Sequence, residues 1–275
     1  MIHLETGSAF ANVDKAAAPD RLVWYLGAVS RLETVAKYKQ ASFVQLDVQA
    51  GHSVLDVGCG TGDDARMLAA LAQPGGRAVG IDSSRRMVLE ARGRTAKPGE
   101  TYLPVEIMLG DAHKLPFANE VFDRSRADRT FMHLDDPELG LREMIRVTRR
   151  GGRVVVSEPD WDTLLFDTPN HKVGRRIAAV VADSHRNPSI GRHLMGMFAE
   201  CGLRETAIEP VTLIFTDRRL AESVFFLSTF SNQALNRGII TPTEYEEWEA
   251  SLDESAAAGQ FFCSLTGFIV GGQRP

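Results

Sequence analysis

The sequence predicts an open α/β fold in which strands and helices alternate around a largely parallel sheet. Three observations carry that expectation. Val54, Leu55 and Val57 form a short apolar, β-branched run, followed by glycines at alternate positions (Gly58, Gly60, Gly62) and a helical pattern from Asp63. A run of this kind reads as a buried strand. Similar runs recur between helical stretches at Ala78–Ile81, Val105–Leu109 and Val154–Val156, the spacing of βαβ units. The 275 residues, 44% hydrophobic and 24% charged, suit a soluble globular chain made of one elaborated domain rather than two independent ones.

The same composition narrows the function. The formal net charge is -5 and no dense Lys/Arg run exists, which disfavours a nucleic-acid partner. Arg85-Arg86 and Arg149-Arg150 read as solvated helix ends. No apolar run approaches membrane-spanning length, and the early Glu5, with no apolar core around it, argues against a signal peptide. Cys59, Cys201 and Cys263 are odd in number and far apart. That pattern points to a reducing compartment, taken here as the cytoplasm, and to neither disulfides nor a metal site.

In chain order, Asp20 can cap a helix whose apolar stripe is Leu22, Tyr25/Leu26, Val29, Leu32 and Val35/Ala36. The helix after the glycine turn stops at Pro74-Gly75-Gly76. The turn departs from the dinucleotide spacing G-x-G-x-x-G, because Asp63 stands where the last glycine belongs. Asp63 and Asp64 at the helix start favour its dipole but repel a phosphate. The expected ligand therefore lacks phosphate and has a positive end. Asp82 closes the second strand, where an acid can accept from both ribose hydroxyls of an adenosine. Ser83-Ser84 then caps a helix holding Met87, Val88 and Ala91.

The third strand leads into Gly110-Asp111-Ala112, where the acid and the following amide can read an adenine edge. The fourth strand opens at Val121-Phe122-Asp123 and continues into the polar run Arg124–Arg129, a local inconsistency of the kind found at functional sites. His133 follows at the strand's C-terminal end, where ligands of open sheets bind. A helix through Leu141, Met144, Ile145 and Val147, ended by Gly151-Gly152, leads to the fifth strand. Beyond Glu158-Pro159, residues 169–201 read as two helices, Leu203–Thr216 as a strand broken at Pro210, 217–258 as two helices, and Phe261–Val270 as a last strand. The first of the two later helices is expected to carry Leu220, Val224, Phe225, Leu227 and Phe230 on one stripe.

VLDVGCGTG resembles the first motif of class I S-adenosylmethionine-dependent methyltransferases, and GDAHKLPF and LREMIRVTRRGGRVVVSEPDW resemble later motifs of the same family, in order. The subgroup is similar to the ubiquinone and menaquinone C-methyltransferases and their small-molecule relatives. The resemblance covers about residues 40–160. It implies a doubly wound, seven-stranded, mostly parallel sheet whose last strand is antiparallel. It further implies S-adenosylmethionine as cofactor and S-adenosylhomocysteine as product, held by Asp56, Gly58, Cys59, Gly60, Asp82, Ser83, Met87, Gly110, Asp111 and Ala112. Arg129 lies where relatives face the methionine tail; Arg126 stands as the alternative, or as partner of a nearby acid. His133 is either a general base near the transferred methyl or a loop support.

Three segments follow: an N-terminal helical lid at 1–47, a cofactor-binding core at 48–160, and the remaining sheet with helical cap insertions at 161–275. Tyr25, His133, Trp161 and Phe166 are the candidate substrate contacts, with Phe10 and Trp24 as weaker ones. The expected activity is methyl transfer to a C, O or N nucleophile of a hydrophobic small molecule, in secondary metabolism or on a quinone-like compound. A cyclisation or rearrangement as the product-determining step, and a non-catalytic binding module, are the alternatives. A homo-oligomer is compatible with an apolar N-terminal helix.

Overall fold

The structure is a computed structural model that describes residues 8–16, 18–30, 32–95 and 103–275. Residues 1–7 of the expected lid, Glu5 among them, lie outside the described residues.

The core is a parallel sheet built from β1 (Ser53–Val57), β2 (Arg77–Asp82), β3 (Val105–Leu109), β4 (Phe122–Asp128) and β5 (Thr148–Pro159). Two long strands, β7 (Arg204–Phe215) and β8 (Cys263–Gln273), and the two-residue β6 (Leu165–Phe166) complete it. The order is β3-β2-β1-β4-β5-β8, with β7 and β6 both paired to β8. β8 runs antiparallel to β5 and β7. This is the doubly wound, mostly parallel sheet the sequence implies, with β6 as an extra bridge. Val54, Leu55 and Val57 are buried on the central strand, which is why that run carries no polar alternation apart from Asp56.

Helices α3 (Asp63–Leu71), α4 (Arg85–Thr95) and α5 (Pro137–Val147) connect the parallel strands. α2 (Glu33–Leu46) and α7 (Ile190–Glu200) pack on β5. α5 stops before the glycine pair expected to end it, because Thr148 is already extended (ψ 134°). Its hydroxyl donates back to the Met144 carbonyl at 2.7 Å, closing the helix while the residue pairs with Phe122 in the sheet.

At the C-terminal strand ends, α1 (Pro19–Val29) from the N-terminus and α6 (His171–Ala182), α8 (Arg218–Phe225) and α9 (Leu227–Asn236) from the second half contribute residues to one cavity, and α10 (Pro242–Ala257) packs on α6 and α9. α10 starts with a capping box between Thr241 and Glu244 and Pro242 in its first turn. The single helix expected through Leu220–Phe230 is broken in two at Phe226, whose φ is +52°. Glu222 enforces the break: its carboxylate accepts from both the backbone N–H and the hydroxyl of Ser228 at 3.0 Å.

Candidate cofactor and substrate site

A cavity of about 430 Å³ opens at the C-terminal ends of β1, β2 and β4, on the side where the strand order reverses between β1 and β4. That is the crevice in which open α/β sheets bind ligands, and its size suits a small-molecule site.

The glycine turn forms one wall. Gly58 (φ +73°) lies so close to Thr130 that a Cβ there would sit 2.1 Å from the threonine hydroxyl. A glycine is therefore required by both conformation and space. Asp82 ties the turn to β2, accepting from Gly60 N–H and Ser84 N–H at 2.8 Å each. Each oxygen keeps acceptor capacity for a further donor. Ser84 caps α4 through Met87 N–H and donates to Asp14, whose carboxylate also accepts from Arg85 and Arg86 N–H. The N-terminal segment is thereby plugged into the start of α4 next to the cavity.

The polar run of β4 resolves into a buried ion network beneath the turn. The Arg126 side chain is fully buried. It reaches Asp64 at 3.0 Å, Asp56 at 3.4 Å and Asp128 at 3.4 Å. Asp56 and Arg126 are register partners on adjacent strands. Lys39, from α2, meets the other oxygen of Asp64 at 2.7 Å, and Arg129 stands 3.6 Å from Asp128. Three carboxylates thus face three cations. Burial pushes Asp56 up, against the pull of Arg126. Burial also acts on Asp64, but Arg126 and Lys39 outweigh it and hold that carboxyl below its ordinary value. The two charges expected to repel a phosphate are therefore partly neutralised, Asp64 in this way and Asp63 by Arg66 and Arg94. Two buried carboxylate oxygens of this network, Asp56 Oδ2 and Asp128 Oδ1, have no hydrogen-bond partner among the described residues. Both acids line the cavity, so these are acceptors suited to a cationic donor such as an ammonium.

The opposite wall is apolar and aromatic. Trp161 stacks on His185 at 4.0 Å between centroids and meets Phe225 edge-on. Tyr25 stacks on Phe226 at 5.5 Å and donates its hydroxyl to the Val224 carbonyl at 3.1 Å. This joins α1 to the end of α8 over the cavity. Phe10 lies 5.6 Å from Tyr25 and 6.1 Å from His133. Burial lowers both histidines, His133 to about 3 and His185 to about 4, so both are neutral near pH 7.

Residues 48–200 match the methyltransferase domain model. The chain belongs to this methyltransferase family. It is 38% identical over 259 residues to an uncharacterised 37.1 kDa protein in a transposon of Streptomyces fradiae, covering 94% of this chain and 72% of that one. It is 40% identical over 116 residues to the methyltransferase GfsG of Streptomyces halstedii, covering 42% of this chain and 41% of that one. Among solved structures, phosphoethanolamine N-methyltransferase 2 of Haemonchus contortus with bound S-adenosyl-L-methionine superposes with a TM-score of 0.61 at 15% identity, over 97% of this chain and 60% of that one. The protein is an S-adenosylmethionine-dependent methyltransferase.

Within this methyltransferase the cavity gathers Tyr25, Asp56, Gly58, Cys59, Gly60, Asp82, Ser83, Met87, Gly110, Asp111, Ala112, Arg129, His133 and Trp161. Two expected contacts lie elsewhere and correct the sequence reading: the weaker candidate Trp24, which is exposed and does not line the cavity, and Phe166. The alternation of β6 turns Leu165 outward and Phe166 inward, edge-on against Trp248 at 5.1 Å, away from the cavity. The Asp111 carboxylate is engaged by the N–H and Nδ1 of His113. Both arginines line the cavity; Arg126 is committed to the acids beneath the turn, while Arg129 is held at φ +51°, a strained value for a side-chain-bearing residue. Sequence reasoning missed Lys39, Asp64, Thr130, His185, Phe226 and Phe230 as lining residues. Asp64 carries a signal, a second acid just inside the helix after the turn, which bears in the sequence only on the helix dipole and on the exclusion of a phosphate. His185 had none, since its stretch matches no motif.

Proposed function

We propose that the protein methylates a hydrophobic small molecule, in secondary metabolism, with the cofactor on the glycine-turn wall and the acceptor against the aromatic wall. One observation carries the reading: a single cavity has a charged wall of strand ends and a separate apolar wall of α1, α6, α8 and α9 side chains. The bound cofactor supplies an activated methyl group on its sulfonium. Asp82 fits the ribose hydroxyls through the acceptor capacity its two backbone bonds leave. Asp56 fits the ammonium, Arg129 the carboxylate, and Met87 and Asp111–Ala112 the adenine. The enzyme's main contribution is alignment, an effect worth on the order of 7–11 kcal/mol in well-oriented systems. His133 lies between Phe10 and His185 and has a buried Nδ1 without a partner among the described residues; because burial holds it far below its ordinary value, it serves as a neutral hydrogen-bonding group toward the substrate rather than as a strong base.

Within the 1–47 segment the described residues 8–16 and 18–30 act as a lid, tied down by Asp14 at α4 and by Tyr25 at α8, while α2 packs on the sheet at β5. Among the described residues no helix is long and apolar enough to cross a membrane, and a small molecule in a reducing cytoplasm is the setting we propose. Calorimetric titration with S-adenosylmethionine and S-adenosylhomocysteine tests the reading. Micromolar binding is expected, weakened about 10- to 100-fold in Asp82→Ala, as hydrogen bonds to a charged acceptor are worth about 1.5–3 kcal/mol. Unchanged affinity in that variant overturns the placement of the cofactor.

A further inference from the structure

His185, which no motif marks, has its proton placed by its surroundings. Its Nδ1 faces the Val181 carbonyl at 3.1 Å and the Ser184 hydroxyl oxygen at 3.3 Å. The Ser184 hydroxyl donates its own hydrogen to the same carbonyl at 2.7 Å. Both neighbours are therefore acceptors toward Nδ1, so Nδ1 carries the hydrogen. Nε2 is left as a lone-pair acceptor, with no protein partner among the described residues. The ring lines the cavity and is held flat against Trp161, 16° from parallel. The Trp161 ring is itself fixed by its Nε1–H, which donates to Met132 Sδ at 3.4 Å. The acceptor is thus rigid in tautomer and in orientation.

Its other neighbours sharpen the point. His133 lies 6.3 Å from His185 between centroids. A ring inserted between them would need about 7–8 Å, two contact distances. Substrate therefore reaches His185 at its Nε2 edge rather than by stacking. Burial keeps the imidazole neutral near pH 7, so it offers a lone pair and not a charge. Phe225, Phe226, Phe230 and Val181 line the same cavity and give it apolar surface, where an unmet acceptor is costly and a matched donor is strongly selected.

We propose that His185 Nε2 is the specificity determinant of the aromatic wall: it accepts a hydrogen bond from a hydroxyl on an otherwise apolar substrate. Resting on the methyltransferase reading, this narrows the substrate class to apolar molecules with a free O–H at the end that enters the cavity. The matched analogue lacking that hydrogen is rejected.

The test uses the full chain saturated with S-adenosylhomocysteine and a probe pair, 4-phenylphenol and 4-methoxybiphenyl, titrated by calorimetry. The wild type is expected to bind the phenol at least tenfold more tightly. His185→Phe preserves the stack on Trp161 but removes the acceptor, and should bring the two affinities within about twofold. His185→Gln, whose side-chain oxygen can reach the same region, should restore part of the preference. In protein labelled with 15N at histidine, His185 Nε2 should resonate as an unprotonated nitrogen and shift when the phenol is added. Equal binding of the pair by the wild type, binding of neither, or an undiminished preference in His185→Phe overturns the inference. Because S-adenosylhomocysteine affinity is measured separately for each protein, its loss in the wild type counts against the methyltransferase reading. Its retention without discrimination counts against His185 alone.

Discussion

The two walls of the cavity are built by opposite means. The cofactor wall is made of charge and backbone: strand ends, a turn that only glycine can make, and carboxylates paired with buried cations. The facing wall is made of rings and two neutral histidines contributed by segments as distant as Tyr25, Trp161, His185 and Phe226. The first wall is rigid because its groups are each tied to several others, as Arg126 is to Asp56, Asp64 and Asp128. The second is held largely by packing, with a few hydrogen bonds at its seams. Charged, over-determined scaffolding suits a ligand that never changes; an adaptable apolar surface suits the partner that defines the individual enzyme.

The sharpest way to break this contrast is Arg126→Met. It leaves three acids buried, Asp56, Asp64 and Asp128, with Lys39 and Arg129 as the remaining cations. Removing one partner from a buried ion network costs about 3–5 kcal/mol, and urea unfolding should show a loss of that size. A loss below 1 kcal/mol would mean the network is hydrated and does not stiffen the cofactor wall. Next in size is Gly58→Ala, expected to cost about 1–3 kcal/mol from the positive φ and the contact with Thr130. In a Thr130→Ala background the steric part should be relieved and the conformational part remain. A double-mutant cycle separates them; equal costs in both backgrounds would rule out the contact with Thr130 as a source of the requirement.

The same contrast explains what could be read in the sequence. The glycine turn, Asp82 and Asp111 were legible because strand, turn and following helix are contiguous, and their chemistry is written in a few adjacent residues. The alternation of strands and helices was legible for the same reason, the βαβ units being local, whereas the doubly wound arrangement followed only from the family resemblance. The break at Phe226 was not, because helical periodicity runs straight through it and the cause is a side chain, Glu222, reaching forward six residues to Ser228. His185 and Lys39 were not, since each acquires its role from partners far away in sequence or from a cavity that exists only after folding. Phe166 was misplaced because an aromatic just past a strand end says nothing about which face it turns to. Arg126 and Arg129 lie three residues apart, and only the register of β1 against β4 decides that Arg126 faces Asp56.

A third test concerns the aromatic wall and pH. Burial lowers His185 to about 4 from an ordinary value of 6.5, so between these values the unfolded chain binds a proton that the folded chain does not. Stability linked to this residue therefore rises with pH across that window and is lost as pH falls through it. Asp128 and Glu158 are raised by burial, to about 6 and about 8, and oppose the trend, since their contribution falls as pH rises. The measurement is therefore a difference. His185→Phe should reduce the pH slope of unfolding free energy between pH 4 and 6.5 by up to one proton, about 1.4 kcal/mol per pH unit. An unchanged slope would show that His185 titrates normally in the folded protein and that its wall is wet.

The smallest expected effect probes the seam between the two regions. Tyr25→Phe keeps the ring on Phe226 and deletes the bond from the hydroxyl to the Val224 carbonyl. One such bond is worth about 0.5–1.5 kcal/mol, which lowers the melting temperature by about 2–4 °C in a chain of this size. Amide exchange should quicken in α1 and at the end of α8 and stay unchanged in β1 and β2. Affinity for S-adenosylhomocysteine should hold within about twofold, because Asp14, not Tyr25, ties the N-terminal segment to the cofactor side. A tenfold loss of that affinity in Tyr25→Phe would erase the division drawn here. It would mean that closing the aromatic seam is what holds the cofactor, and that the two walls work as one.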